Sequence, residues 1–163
     1  VNVCIGTDSP MSGGKNILDE LRFAKFLYKK NYNEEIDDKT LVEMITVNAA
    51  KAFKLSDKLG SIEEGKIADL LLIKNTGNNP YTSLVQAKLS DISLVVYNGE
   101  PVYGDENLES LFKTLKIPYK RVNIDKVEKI IKIDKNYPDL NELIGRIRNN
   151  VGYEKKLPFV PVD

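Results

Sequence analysis

The sequence predicts an α/β fold continued by a β-rich part and then an α+β extension. Three observations carry that reading. A β-branched run, Val1-Asn2-Val3-Cys4-Ile5, precedes two stretches with helical apolar stripes. A turn bracketed by Gly60 and Gly65 feeds the apolar run Leu70-Leu71-Leu72-Ile73, which fits a strand buried on both faces. Finally, the β-rich stretch Ile92–Tyr97 is joined by Asn98-Gly99 to Pro101-Val102-Tyr103, and Asn-Gly is the strongest short hairpin signal.

In chain order, Val1 to Ile5 reads as a strand that runs into Gly6-Thr7-Asp8-Ser9-Pro10. A carboxylate at the C-terminal end of a strand is where barrel enzymes place catalytic groups. The alternative for the same letters is an Asx or Ser turn ahead of Pro10. Met11 to Asn16, with Gly13-Gly14, reads as a flap over the mouth of a site or as a plain connection. Lys15 within it can meet an anionic substrate or simply be solvated. Ile17 to about Lys30 is a helix whose stripe is Ile17, Leu21, Ala24 and Tyr28, with Leu18 and Leu27 beside it. Asn16 is its expected N-cap, and Asp19 and Glu20 face the positive end of the dipole.

After a polar loop, Asp38 is expected to cap a second helix running to about Phe53, with an apolar face of Leu41, Val42, Ile45, Ala49, Ala52 and Phe53. Thr46 and Asn48 are assigned hydrogen bonds to local backbone. Ser61-x-x-Glu64 has the form of a capping box, but no helical stripe follows and Gly65 would break the first turn, so the stretch stays a turn. Asn75 to Pro80 is a loop, and Tyr81 to Ala87 fits a helical turn or a strand equally well. Pro101 cannot donate to a ladder, which places the second hairpin arm at an edge or past the turn. Beyond Asp105, Leu108, Leu111, Phe112 and Leu115 outline a short helix capped by Asp105 or Asn107. Tyr119–Ile124 and Val127–Ile133 read as strands. Pro138 opens a helix with the stripe Leu140, Leu143, Ile144 and Ile147 and with Arg146 and Arg148 near its negative end. The tail from Val151 to Asp163 is expected to lie extended over a neighbour.

Composition narrows the function classes. The 163 residues are enough for one domain with a core, and no run of 18 apolar residues predicts a membrane-spanning helix. A single cysteine, Cys4, excludes an internal disulfide and fits a reducing, cytoplasmic setting. The absence of histidine matters more, because zinc-type centres lean on neutral imidazole and this chain by itself cannot build a His-rich one. Charge is uneven: 12 Lys and Arg face 17 Asp and Glu over residues 1–110, against 12 and 7 over 111–163. The lysines of the basic part are spread over helix and strand faces rather than clustered with aromatics, which favours a solvated face over a nucleic-acid surface.

The stretch Gly60-Ser61-Ile62-Glu63-Glu64-Gly65-Lys66-Ile67-Ala68-Asp69-Leu70-Leu71 resembles the segment by which amidohydrolase-superfamily enzymes leave their catalytic barrel for a small β-domain. Gly6-Thr7-Asp8-Ser9, Thr46-Val47-Asn48-Ala49-Ala50-Lys51-Ala52-Phe53 and Val95-Val96-Tyr97-Asn98-Gly99-Glu100-Pro101-Val102-Tyr103 match further segments in that family's order, so the resemblance spans about Val1 to Gly104. It implies the last strand and helices of a (β/α)8 barrel over residues 1–59, strands of the β-domain over 60–104, and an α+β extension of unassigned role over 105–163.

The same resemblance makes Asp8 both a metal ligand and the group that takes a proton from metal-bound water. The metal it implies is a divalent ion, zinc first, with iron or manganese as alternatives, held in a longer parent enzyme and not by this chain alone. The reaction implied is hydrolysis of a C–N bond, either of a cyclic amide or of an amino-heterocycle. The run Asn16–Ala24 is also similar to the helix after the metal-ligand Asp in the chlorohydrolase and nucleoside-deaminase branch. Because the chain begins at Val1 within a strand-like run and lacks the family's histidines, it is expected to be the C-terminal piece of a longer enzyme and inactive in isolation. The competing reading is a non-catalytic β-rich module that docks a partner protein. A His-x-His pair upstream of Val1 would decide for the enzyme. The enzyme reading expects a small-molecule substrate, neither nucleic acid nor membrane as partner, and, for the helix stripes of residues 1–53 left without cover, either self-association into a homo-oligomer or loose packing.

Overall fold

A computed structural model describes residues 1–9, 14–77, 79–134, 139–151 and 160–161. The chain divides into two compact units, one of residues 1–69 and 73–91, the other of residues 70–72 and 92–163.

The first unit is helical. Helix α1 (Ile17–Tyr32) starts where the sequence places it: the Asn16 side chain accepts from the backbone N–H of Leu18 at 2.9 Å and of Asp19 at 3.1 Å. It ends at Asn33, whose φ of 55° breaks the helix in the left-handed region that Asn tolerates. The second helix differs from expectation in two ways. Its cap is Asp37, which accepts from Thr40 N–H at 3.3 Å, while Asp38 is the first helical residue and is buried. The helix is also broken at Thr46 (φ −120°, ψ −95°), giving α2 (Asp38–Ile45) and α3 (Val47–Ala52). The Thr46 hydroxyl donates to Val42 O at 2.8 Å and so offers the backbone an alternative to the helical ladder.

Residues Tyr81–Ala87, ambiguous in sequence, belong to a helix, α4 (Pro80–Gln86), capped by Asn79 with Pro80 in its first turn. α1, α2 and α4 pack on one another around Leu18, Leu21, Leu41 and Val85. Each such burial contributes about 1.5–3 kcal/mol. Polar contacts tie the same helices together. Asp38 pairs with Lys25 of α1 at 2.6 Å and accepts from Thr82 Oγ1 of α4 at 2.7 Å, and Arg22 donates to Ala87 O at 2.7 Å. The outer face of α1 carries Phe23, Phe26 and Tyr32, all exposed.

The second unit is a sheet in the order β1-β2-β3-β5-β4-β6, with β1 Leu70–Ile73, β2 Ile92–Tyr97, β3 Glu100–Asp105, β4 Tyr119–Ile124, β5 Val127–Lys132 and β6 Val160–Pro161. β1 has the expected bounds but not the expected burial. It is an edge strand, and Leu71 and Leu72 stand 44% and 48% exposed. β2 and β3 form the Asn98-Gly99 hairpin, with φ of 50° and 80° at the two turn residues. β3 starts before Pro101 rather than after it. The register slips between Val95 and Val96, and Pro101 sits beside that bulge, where a strand tolerates a residue without an N–H.

β4 and β5 form a second hairpin through Asp125 and Lys126, again both at positive φ. Helix α5 (Glu109–Thr114), preceded by a 3-10 turn over Glu106–Leu108, lays Phe112 into a core with Ile117 and Ile130, and Tyr119 packs edge-on against Phe112 at 5.8 Å. Asp105 stands at the start of that turn but makes no side-chain cap. Its carboxylate pairs instead with Lys129. Helix α6 (Leu140–Val151) is present, while Pro138, expected to open it, lies outside the described residues. Of the tail, Val160–Pro161 lies extended against Val122–Asn123 of β4.

Candidate functional site

Asp8 is the residue the sequence singles out, and the structure places it exposed, with φ of 48°, at the end of the segment 1–7. Asp tolerates this left-handed conformation better than most side chains. The segment is not the expected strand. A strand needs a neighbour to pair with, and among the described residues none lies along Val1–Ile5. Its hydrogen bonds go to the α2–α3 break instead. Asn48 Nδ2 donates to Val3 O at 3.0 Å, Ile5 N–H donates to Met44 O at 3.3 Å, and Asn2 Nδ2 donates to Asn48 O at 2.9 Å. Asn48 was expected to bond local backbone and bonds a segment 45 residues away. Of the flap, Met11 to Gly13 lie outside the described residues. Lys15 is exposed, and its backbone N–H donates to Asp19 at 3.1 Å.

The Gly60–Lys66 turn packs against the same break. Gly60 has φ of 92°, and a Cβ there would stand 2.6 Å from Ala50 Cβ and 3.1 Å from Thr46 O, so both the backbone angle and the space require glycine. Inside the turn, Ser61 donates to Glu63, and the Lys66 ammonium reaches both Ser61 Oγ and, at 3.1 Å, Glu63. The Ser61 hydroxyl, and then Lys66, hold the Glu63 carboxyl below its ordinary range. Ile67 N–H closes the turn on Lys58 O at 2.9 Å.

As a donor set for a metal, these residues fall short. No group of three or more carboxylate, thiol or imidazole side chains converges among the described residues, and the chain has no histidine. Asp8 is one carboxylate and not a centre in itself. No described helix is long and apolar enough to cross a membrane.

The chain is 32% identical over 136 residues to a 5-methylthioadenosine/S-adenosylhomocysteine deaminase of Thermoanaerobacter pseudethanolicus, covering 77% of this chain and 31% of that one. It is 37% identical over 123 residues to a 5′-deoxyadenosine deaminase of Methanopyrus kandleri, covering 65% and 28%. It thus spans less than a third of the length of these relatives. Among solved structures, an adenosine deaminase from Xanthomonas campestris with bound zinc superposes with a TM-score of 0.66 at 24% identity, covering 91% of this chain and 30% of that one. A zinc complex of atrazine chlorohydrolase from Arthrobacter aurescens gives 0.53 at 29% identity, covering 63% and 25%. The profile of the Amidohydrolase family matches residues 1–102, which takes in Asp8, the break at Thr46, the Gly60 turn and the first hairpin as far as Val102; the chain belongs to the amidohydrolase family.

Proposed function

We propose that this chain contributes the Asp8 carboxylate to the site of a C–N hydrolase that deaminates an amino-heterocycle, with a purine nucleoside as the substrate class. The observation that carries the reading is an exposed aspartate, at φ of 48°, within the span matched by the family. Relatives named as deaminases of adenosine-type nucleosides support the substrate class over a cyclic amide. In this reading residues 1–59 are the end of the catalytic barrel, 60–104 belong to the β-domain, and 105–163 extend it.

A divalent metal at such a site lowers the pKa of a bound water toward neutrality. Asp8 would be one ligand of several, since no group of three or more candidate ligands converges among the described residues. The contribution derived for the chain is proton transfer at Asp8. Its carboxylate accepts a proton from the water that adds to the ring carbon bearing the amino group, then returns it to the departing nitrogen. Water enters, the C–N bond breaks, and ammonia and the oxo-heterocycle leave.

The test is ammonia release by the full-length protein with 5′-deoxyadenosine and methylthioadenosine as probes. Asp8→Asn keeps the shape and removes the basicity, and is expected to cost on the order of 10²–10⁴-fold in turnover. Near-normal turnover in that variant would show that Asp8 is only a turn residue.

A further inference from the structure

β1 and β2 are neighbours in the sheet, and the ends of the stretch that joins them meet: Lys74 N–H donates to Asp91 O at 2.9 Å. Ile92 O, the first carbonyl back in the sheet, accepts the buried Lys129 ammonium at 2.7 Å. Strand ends this close need only a few residues between them. The connection here is residues 74–91, 18 in all. It is ordered from within. Asn79 caps α4 by accepting from Tyr81 N–H at 2.9 Å and Thr82 N–H at 3.3 Å. The buried Ser83 hydroxyl donates to Asn75 Oδ1 at 2.9 Å and accepts from Thr76 N–H at 3.2 Å. The extra length therefore serves something other than joining two strands. The chain passes from the helical unit to the sheet unit at Leu70, back at Ile73 and over again at Ile92, and what it brings back to the helices is α4.

We propose that residues 74–91 are a strap that leaves the sheet to fasten on α1 and α2, and that it opens as one piece while the sheet stays closed. Its latch is Asp38. One oxygen of that buried carboxylate pairs with Lys25 of α1 at 2.6 Å and the other accepts from Thr82 Oγ1 of α4 at 2.7 Å, so a single group on α2 joins three helices. At the far end of α4, Arg22 of α1 donates to Ala87 O at 2.7 Å, a charged donor where a helix leaves its carbonyls without partners. Val85 and Ala87 are the buried apolar residues of the strap among those described. Two such side chains and two polar fastenings hold less than a sheet does, which places the strap among the elements that open first. Leu18, Leu21, Arg22 and Lys25 recur at helical spacing and share one face of α1. Phe23 and Phe26 are exposed on another, so α4 does not occupy the aromatic face of α1, which remains for the rest of a barrel. The strap stands whether or not Asp8 is catalytic.

The test is deuterium exchange of the full-length protein, read on peptides within residues 79–91 and within 92–105. In the wild type the first is expected to exchange at least about tenfold faster than the second, since local opening frees α4 and leaves β2 and β3 paired. Thr82→Val is near-isosteric and removes the donor to Asp38. Arg22→Met removes the donor to Ala87 O and keeps most of the stem. Each is expected to raise exchange within 79–91 about 10–100-fold, the worth of a hydrogen bond to a charged group, and to leave 92–105 within about twofold. Equal protection of the two peptides in the wild type, or a rise in both together in the variants, shows one cooperative unit and overturns the strap. Unchanged exchange of 79–91 in both variants overturns the fastening by Asp38 and Arg22, and the strap with it. The wild-type comparison decides even where a variant does not fold.

Discussion

Replacing Lys129 with Met tests what holds the sheet together. Lys129 is fully buried on β5, its ammonium donates to Ile92 O at 2.7 Å and pairs with Asp105, and it stands 5.7 Å from the centre of the Tyr103 ring. Burial, and then the carboxylates of Asp105 and Asp125, hold the Tyr103 phenol well above its ordinary value, so the ring meets the ammonium as a neutral face. Methionine fills nearly the same volume, and the change is therefore one of charge. Removing one partner of a buried pair costs about 3–5 kcal/mol. Asp105 keeps 19% of its side-chain surface in water, which recovers part of that loss. Ile92 O loses a charged donor, worth about 1–3 kcal/mol where it stays desolvated. The net expectation is about 3 kcal/mol, or roughly two powers of ten in the folding constant. Urea unfolding followed by far-UV circular dichroism measures it, with Lys129→Met/Asp105→Leu as the control expected to recover most of the loss, because a well-packed apolar pair replaces a buried ion pair at little cost. A single variant that loses less than about 1 kcal/mol would refute the argument, since it would mean that the pair contributes no more than a surface contact.

Two further outcomes follow from the helical unit. Burial raises the Asp38 carboxyl, but the hydrogen bonds from Lys25 and Thr82 and the charge of Lys25 outweigh it and hold the group below its ordinary value of 3.8. Its contribution to stability is thus present above that value and is lost as pH falls through the lower folded one; melting temperatures of wild type and Asp38→Asn should converge as pH falls below 3.8. Parallel melting curves over that range would contradict the assignment. Gly60→Ala meets both a φ of 92° and a contact at 2.6 Å, and is expected to cost about 2–4 kcal/mol by urea unfolding, whereas Gly65→Ala, with φ of 87° and nothing within 4 Å, should cost about 1–2. Equal losses would show that the packing of the turn on Ala50 contributes nothing.

Local signals were legible in the sequence. Asn16 announced the start of α1 because an Asn followed by Asp and Glu satisfies orphan N–H groups whatever the tertiary context. Asn98-Gly99 announced its hairpin because the turn itself demands two positive φ angles. The other hairpin turn, Asp125-Lys126, meets the same demand with a lysine at φ of 68°, a residue that carries no turn signal. There the strands impose the turn. The burial of β1 failed for a related reason: an apolar run states what a strand is made of, not whether it lies at the centre or the edge of a sheet. The candidate site was half legible. Asp8 stood out by its letters, but the contacts of the segment that precedes it did not. A side-chain bond between Asn48 and Val3 crosses 45 residues and leaves no periodic trace, while the Thr46 break that makes Met44 O available to Ile5 sits inside an unbroken helical stripe.

The charge imbalance of the sequence has a structural account of the same long-range kind. Acidic residues of the first hairpin, of the turn after it and of the start of α5, Glu100, Asp105, Glu106 and Glu109, pair with basic residues of the following part: Lys132, Lys129, Arg121 and Lys113. Glu109 receives the Tyr119 hydroxyl, Lys113 and Arg121 together, which bring its carboxyl down to about 2. The exposed pairs contribute little each, about 0–1 kcal/mol. Their arrangement has a larger consequence. β5 lies against β3 with Tyr103 opposite Ile131 and Asp105 opposite Lys129, so residues beyond the family match cover the open edge of a strand that begins within it. A one-residue slip of β5 would turn Lys129 to the other face and bury Asp105 without a counter-charge. Complementary charge thus selects the register, and the basic character of residues 111–163 reads first as the means by which this part of the chain joins the sheet.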